Sequence, residues 1–278
     1  MTKWTAENLP ELHGRTVLIT GAGRGIGLVA ARAFGRAGAH VVLAVRDPSR
    51  VPALTGSFAV RQLDVADLGS VRRFAAGWEG PLDVLVNNAG VMDIPAARTA
   101  DGLDLQTATN YTGPFALTNL LLPHVTDRVV HVTSGLHRQS TLDIGDLDWR
   151  SRKYNGMRAY RDSKLALVLF SLELQRRLAD PVRSILADPG IVPTRLAAHS
   201  RANVVNRFRF LLNDPERGAL PILYAATQDV PGNAYVAPDG LGGIRGYPVL
   251  RSASRAGLDG GAARELWAAT AALTGVGR

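Results

Sequence analysis

Cysteine is absent from all 278 residues. Disulfides, thiolate metal ligands and cysteine nucleophiles are thereby excluded. Lysine is nearly as scarce. Lys3, Lys153 and Lys164 are the full complement, so 32 − 3 = 29 of the basic side chains are arginine. No apolar run reaches the ~18 uninterrupted residues of a membrane-crossing helix. Residues 1–14 are polar and lack the apolar centre of a secretion signal. Both absences point to a cytoplasmic protein. With no cysteine and no His-x-x-x-His pair, no metal site is expected.

What remains is the mixture of a folded globular protein, with 46% hydrophobic and 20% charged residues. The net charge is +8 and the isoelectric point about 10.4. Either a polyanionic partner or a basic surface around an anionic cofactor accounts for such an excess. The charges are spread along the chain and no nucleic-acid recognition motif accompanies them, so the second reading is favoured.

Short β-branched runs alternate with helical patterns. Strands are expected at 16–20, 40–45, 58–63, 82–86, 128–133, 182–187 and 234–236, and helices at 28–37, 71–78, 113–125 and 160–178. Continuous apolar strands separated by helices predict a seven-stranded parallel sheet covered on both faces, an α/β doubly wound architecture. Ligands of such sheets bind at the carboxyl ends of the strands. No repeat or linker divides the chain, so one domain spanning 1–278 is expected. An irregular insertion covers 189–215, and the Gly-rich segment 237–261 reads as loop.

A glycine loop follows the first strand. Gly21, Gly25 and Gly27 form G-x-x-x-G-x-G, with Arg24 and Ile26 between them. Glycines there let backbone amides approach a pyrophosphate at a positive helix end. Strand two ends with Val45, Arg46 and Asp47. A carboxylate at that strand end suits a ribose 2′-hydroxyl, whereas a guanidinium pairs with a 2′-phosphate. Arg46, with Arg24 nearby, therefore favours NADP(H) over NAD(H). The competing reading has Arg46 solvated and Asp47 in the acidic role. Asp64 and Val65 end strand three, where Asp64 can accept from an adenine amino group or cap a helix. Asn87, Asn88, Ala89 and Gly90 end strand four, where an Asn can tie loops together and small residues let a cofactor pass.

Tyr160 and Lys164 stand four apart on one helix face. A free phenol titrates at about 10, and a nearby ammonium favours its ionised form. Such a pair suits proton exchange with an alcohol or carbonyl oxygen. Ser134 follows strand five, where it can hold the same oxygen or form a turn. Asn110 can cap a helix or hold a water.

Taken together and in order, these pieces resemble the short-chain dehydrogenase/reductase family over roughly 12–236. They are the loop at 20–27, Leu63 to Val65, Asn87 to Gly90, Asn110, Ser134, Tyr160 with Lys164, and Pro189, Gly190, Ile191, Val192, Pro193, Thr194. The resemblance implies a Rossmann-like domain. In it, Tyr160 acts as general acid/base, Lys164 binds the nicotinamide ribose and lowers the phenol's pKa, Ser134 positions the substrate oxygen and Asn110 supports a relay water. Pro189 and Gly190 would border the cofactor, and Val192 and Thr194 would contact its carboxamide. The 26-residue gap from Ser134 to Tyr160, the stretch 159–170 and Arg264 to Trp267 are similar to the retinol-dehydrogenase-like branch. Departures are His131-Val-Thr-Ser134 before the serine, Pro114 four residues after Asn110, and Asp188 where the branch commonly has histidine.

The expected activity is hydride transfer between NADP(H) and a carbonyl or alcohol of a lipophilic or bulky small molecule. Alternatives are a non-catalytic NADP(H)-binding regulator, or a reductase of conjugated C=C or imine substrates. Residues 201–212 mix Arg with Phe and Leu and read as a substrate lid, within an insertion near 194–215, or as a membrane-surface contact. Apolar residues cover more than one stripe of the helices at 113–125 and 164–178. They suit burial against the sheet, while the resemblance implies pairing in a homodimer or homotetramer. His131 reads as a core histidine, His137 as a surface residue or one lining the pocket, with the surface favoured, and Tyr154 as a loop aromatic.

Overall fold

The computed structural model describes residues 3–192 and 213–277. One sheet organises them, in the order β3-β2-β1-β4-β5-β6-β7-β8. The first seven strands are β1 (Thr16–Thr20), β2 (His40–Val45), β3 (Phe58–Gln62), β4 (Leu82–Asn87), β5 (Val125–Val132), β6 (Arg183–Ala187) and β7 (Tyr235–Pro238). All seven run parallel. An eighth, β8 (Pro248–Arg251), pairs antiparallel with β7 inside the segment expected to be loop. Only Pro248 of its four residues is buried, so no apolar pattern announces it.

Side chains alternate across the pleat and fill two cores. Val17 and Ile19 face one side of the sheet and Leu18 the other. The first side is covered by α1 (Gly25–Arg36) and α5 (Pro215–Thr227). The second is covered by α2 (Leu68–Ala76), α3 (Gly113–Leu121), α4 (Gly156–Arg177) and α6 (Gly260–Thr274). Helix α5 lies in the stretch just beyond the insertion and has Pro215 in its first turn and Pro221 inside it.

Helix α3 is entered through a turn at Leu105–Thr107 and a π-helical segment at Ala108–Thr112. Pro114 explains the π register. It has no N–H to offer the Asn110 carbonyl four residues earlier, so an α ladder cannot continue there.

Most of the apolar surface of α3 and α4 is covered within the chain, while Leu120 and Leu172 stay partly exposed. Phe115, Leu117, Leu121, Leu165, Val168 and Leu169 are buried, and Trp267 of α6 stands 5.0 Å from the Phe115 ring and 5.6 Å from that of Phe170. Among the described residues no helix is long and apolar enough to cross a membrane, and no cluster of His, Asp or Glu could hold a metal.

Candidate active site

Strand order reverses between β1 and β4, and a crevice opens there at the carboxyl ends. Gly21 and Gly25 take φ of +66° and +58°, which lets the chain turn sharply from β1 into α1. At the N-terminus of α1 the cap residue is Arg24, and no side chain caps the first amides. Those N–H groups and the helix dipole can receive an anion. The β4 loop closes against this turn. A Cβ on Gly21 would come 2.9 Å from the Ala89 Cα, and one on Gly27 would come 2.4 Å from Asn88 Nδ2.

The loop is tied by Asn88 rather than Asn87. Asn88 Nδ2 donates to the Thr20 carbonyl at 2.8 Å, and the amides of Asn88 and Ala89 donate to the Thr20 hydroxyl. Asn87 is 2% exposed and turns inward, to Thr118 at 2.9 Å and His131 at 3.2 Å. Its side chain faces the core, so only its backbone borders the crevice. His131 is fully buried, as its place in β5 suggested, and burial lowers its pKa to about 3.

At the ends of β2 and β3 lies a cavity of about 480 Å³ lined by Arg46, Arg61, Gln62, Asp64, Asp67, Ser70, Arg73 and Phe74. Arg46 is exposed. Arg61 is held over the rings of Phe74 and Trp78, at 4.6 and 5.4 Å. Asp47 is occupied locally. Ser49 donates to it from both its hydroxyl and its amide, and Arg50 pairs with it at 2.8 Å, which together hold its carboxyl below the usual range. Asp64 Oδ1 accepts from the Ala66 amide, in the turn that leads to α2. Val65 is buried, and its carbonyl lies against Gly113 at the start of α3.

Beyond the switch point the remaining candidates converge. Tyr160 and Lys164, one turn apart on α4, are each 5% exposed, with the amine 5.7 Å from the phenol ring centroid. Lys164 donates to the Val132 carbonyl at 2.9 Å. The Ser134 side chain lies on the Tyr160 side of this cluster and favours the ionised phenol, while its hydroxyl accepts from the Leu136 amide. The Asn110 side chain clamps Val91, accepting from its amide at 2.8 Å and donating to its carbonyl at 2.9 Å, and it also donates to Ser163. Gly90 fits between these groups. A Cβ there would stand 3.3 Å from Asn110 Oδ1 and 3.7 Å from Lys164 Nζ.

Electrostatics differ from the expectation of a lowered phenol. Burial pushes Tyr160 up to about 12, against a downward pull from Ser134 and with a further push from Asp188. Burial brings Lys164 down to about 8, with Asp188 opposing. At neutral pH the pair is therefore a phenol beside an ammonium, and it carries a proton to give.

Pro189 and Gly190 turn the chain away from β6. Asn213 Nδ2 donates to the Pro189 carbonyl at 2.9 Å, and the Gly190 amide donates to Asp188 at 2.9 Å. Val192 and Ile26 meet over Gly218 of α5, at 2.5 and 3.4 Å from where its Cβ would be. This joins the Pro-Gly turn to the glycine loop, and no pattern in the sequence pointed to Gly218. Thr194 and the 201–212 segment lie outside the described residues.

His137 corrects the surface expectation, because it is 1% exposed. It bonds the Ser134 carbonyl through Nδ1 at 2.8 Å, and its Nε2 accepts from the Ser254 amide at 3.1 Å. Its burial depends on a contact 117 positions away, which local pattern does not carry. Tyr154 is half-buried and donates to the Ile94 carbonyl at 3.2 Å, as a loop aromatic.

A model of the short chain dehydrogenase family matches residues 15–204. The chain belongs to that family. Polyprenol dehydrogenase of Mus musculus is 39% identical to this short-chain dehydrogenase, over 97% of the chain and 86% of the relative. Retinol dehydrogenase 13 of Homo sapiens is 36% identical, over 95% and 86%. Both likenesses agree with the retinol-dehydrogenase-like branch. A solved structure of an uncharacterised Mycobacterium paratuberculosis protein matches with a TM-score of 0.88 and 45% identity, over 99% of this chain and 98% of that one. An angucycline C-6 ketoreductase with bound NADP matches with a TM-score of 0.63 and 26% identity, over 79% and 91%. The chain is thus an oxidoreductase of the short-chain dehydrogenase family.

Proposed function

We propose that this short-chain dehydrogenase uses NADP(H) to interconvert a lipophilic carbonyl compound and its alcohol, with Tyr160 as general acid/base. The observation that carries the reading is the convergence of Tyr160, Ser134 and Lys164 at the ends of β5 and β6, beside Gly90 and the clamped Asn110. The residues fit a dinucleotide. The uncapped α1 terminus suits the pyrophosphate, and Gly90 presents no side chain between Asn110 and Lys164. Bound NADP(H) supplies or takes up the hydride.

Each side chain then has a task. The Ser134 hydroxyl holds the substrate oxygen beside that of Tyr160. Tyr160, a phenol at neutral pH, gives its proton to that oxygen during reduction and takes it back during oxidation. Lys164 favours the charged phenolate that forms and donates to the cofactor ribose. The π segment leaves the Asn110 carbonyl without its α-helical donor, which suits a water feeding protons toward Lys164. Gly190 and Val192, with Thr194, would border the nicotinamide.

Preference for the phosphorylated cofactor is supported by Arg46 at the end of β2 and by Arg61 and Arg73 around the same cavity. The carboxylate that could oppose it, Asp47, is turned to Ser49 and Arg50. A lipophilic substrate is supported by the relatives named for polyprenol and retinol. The expected architecture is one domain.

The test is reduction of retinal and of isoprenoid aldehydes with NADPH or NADH, with the products identified. Allylic alcohols formed faster with NADPH are expected. A product saturated at its C=C bond, or binding of the nucleotide without any turnover, contradicts the reading.

A further inference from the structure

The turn that carries Ser134 is held by a residue with no part in that scheme. Ser134 leaves β5 in extended backbone, and Gly135–Gln139 follow as one tight helical turn. Two groups of the turn fix the serine. The Leu136 amide donates to its hydroxyl oxygen at 3.3 Å, which leaves the hydroxyl proton free to meet a substrate oxygen. The Ser134 carbonyl bonds His137 twice, through the backbone amide at 3.0 Å and through ring Nδ1 at 2.8 Å. A carbonyl held twice fixes the peptide plane after Ser134, and with it the direction of the serine side chain.

The ring's partners leave it one protonation state. A carbonyl only accepts, so Nδ1 must carry a proton to bond Ser134. A backbone amide only donates, so Nε2 must offer its lone pair to Ser254, at 3.1 Å. A neutral imidazole protonated on Nδ1 meets both demands. The opposite tautomer meets neither, and the charged ring loses the Ser254 bond. His137 is 1% exposed, so water cannot replace either partner.

Ser254 is itself anchored. It lies in the segment after β8, where the Gly257 amide donates to its hydroxyl at 3.1 Å and Arg138 donates to the carbonyl of Ser252. Gly257 is pressed against α4, and a Cβ there would come 2.6 Å from Val168 Cγ1. The segment therefore touches both the serine turn and the helix that carries Tyr160. We propose that His137 is a positioning residue for Ser134. Its Nδ1 proton holds the serine carbonyl, and the Ser254 amide selects the tautomer that has this proton. The inference rests on the proposed activity for its role in turnover, and on the hydrogen bonds alone for its geometry. A histidine that only filled the core would act on stability and not through Ser134.

With six histidines in the chain, the tautomer is measurable without a substrate. Protein carrying 15N-histidine is recorded by NMR at neutral pH, and the His137 ring is assigned by its absence from His137→Asn and His137→Gln. A protonated Nδ1 and a bare Nε2 are expected; the reverse overturns the proposal. Turnover is read as single-turnover reduction of retinal by NADPH, with NADPH affinity measured alongside. Gln places its amide near the Nε2 position and leaves the Ser134 carbonyl without the ring donor, whereas Asn places an N–H near the Nδ1 position. His137→Gln should therefore slow reduction by about tenfold or more with NADPH bound as before, and His137→Asn should restore most of that rate. In a Ser134→Ala background His137→Gln should slow reduction no further, because its effect passes through the serine. Equal slowing by Gln and Asn, or the same slowing with and without the serine hydroxyl, overturns the proposal. A ring protonated on Nδ1 in a protein that reduces no aldehyde upholds the bracing of Ser134 and removes the proposed activity. Turnover with the opposite tautomer keeps the activity and removes the brace.

Discussion

Arg46 and His131 show how far single side chains carry the account. Arg46 stands exposed at the mouth of a basic cavity, free to meet a 2′-phosphate. Charge-assisted pairs of this kind contribute about 1.5–3 kcal/mol, or roughly 10- to 100-fold in affinity. Arg46→Asp is therefore expected to cut the kcat/KM preference for NADPH over NADH by at least about tenfold, measured with one aldehyde and both cofactors. An unchanged ratio removes Arg46 from the site. His131 makes a prediction about stability. Its folded pKa of about 3 lies below the ordinary 6.5, so the unfolded chain binds the proton more tightly. Stability is then complete above 6.5 and is lost as pH falls through the window from 6.5 toward 3. Each unit costs about 1.4 kcal/mol. Urea unfolding near pH 7 and pH 5 should show a loss about 2 kcal/mol larger in the natural protein than in His131→Asn. Equal losses would mean that the ring is already protonated or hydrated in the core. That Tyr160 and Lys164 share one helix face was legible because spacing alone decides it. His137 and the inward turn of Asn87 were not, since Ser254, Thr118 and His131 decide them across the fold.

Among the elements, the start of α3 is the most tightly constrained. Gly113 lies so close to the β3–α2 connection that a Cβ would come 1.8 Å from the Val65 carbonyl oxygen. The φ there is an ordinary −65°, so contact rather than backbone strain demands glycine. Gly113→Ala should push α3 from the sheet and destabilise the protein by about 1–3 kcal/mol, read by chemical denaturation. An unchanged unfolding midpoint would contradict the packing. The parallel strands were readable because both faces are buried, which leaves continuous apolar runs. Strand β8 was not, because three of its four residues are exposed. Helix α5 begins with Pro215 and contains Pro221, so its pattern reads as broken even though Ala219, Ile222 and Leu223 are buried. The π segment was not read from the sequence, where Pro114 stood only as a departure, and the Asn110 contacts needed Val91 and Ser163 to be located.

For the molecule as a whole, two sets of residues meet in one crevice from opposite sides of the switch point. In the proposed scheme the glycine loop and the arginines of the β2–β3 end would hold a phosphate-rich ligand, and the α4 face with its buried lysine would meet a reacting oxygen. Packing of α6 over α3 and α4 covers part of their apolar surface. The measurement that tests the central claim most directly is a single-turnover reduction of retinal by NADPH-loaded protein, comparing the natural chain with Tyr160→Phe. NADPH affinity is measured alongside. Loss of the phenol proton should slow reduction by about 100- to 10,000-fold while NADPH binds as before. Equal rates in the two proteins would contradict the assignment of Tyr160.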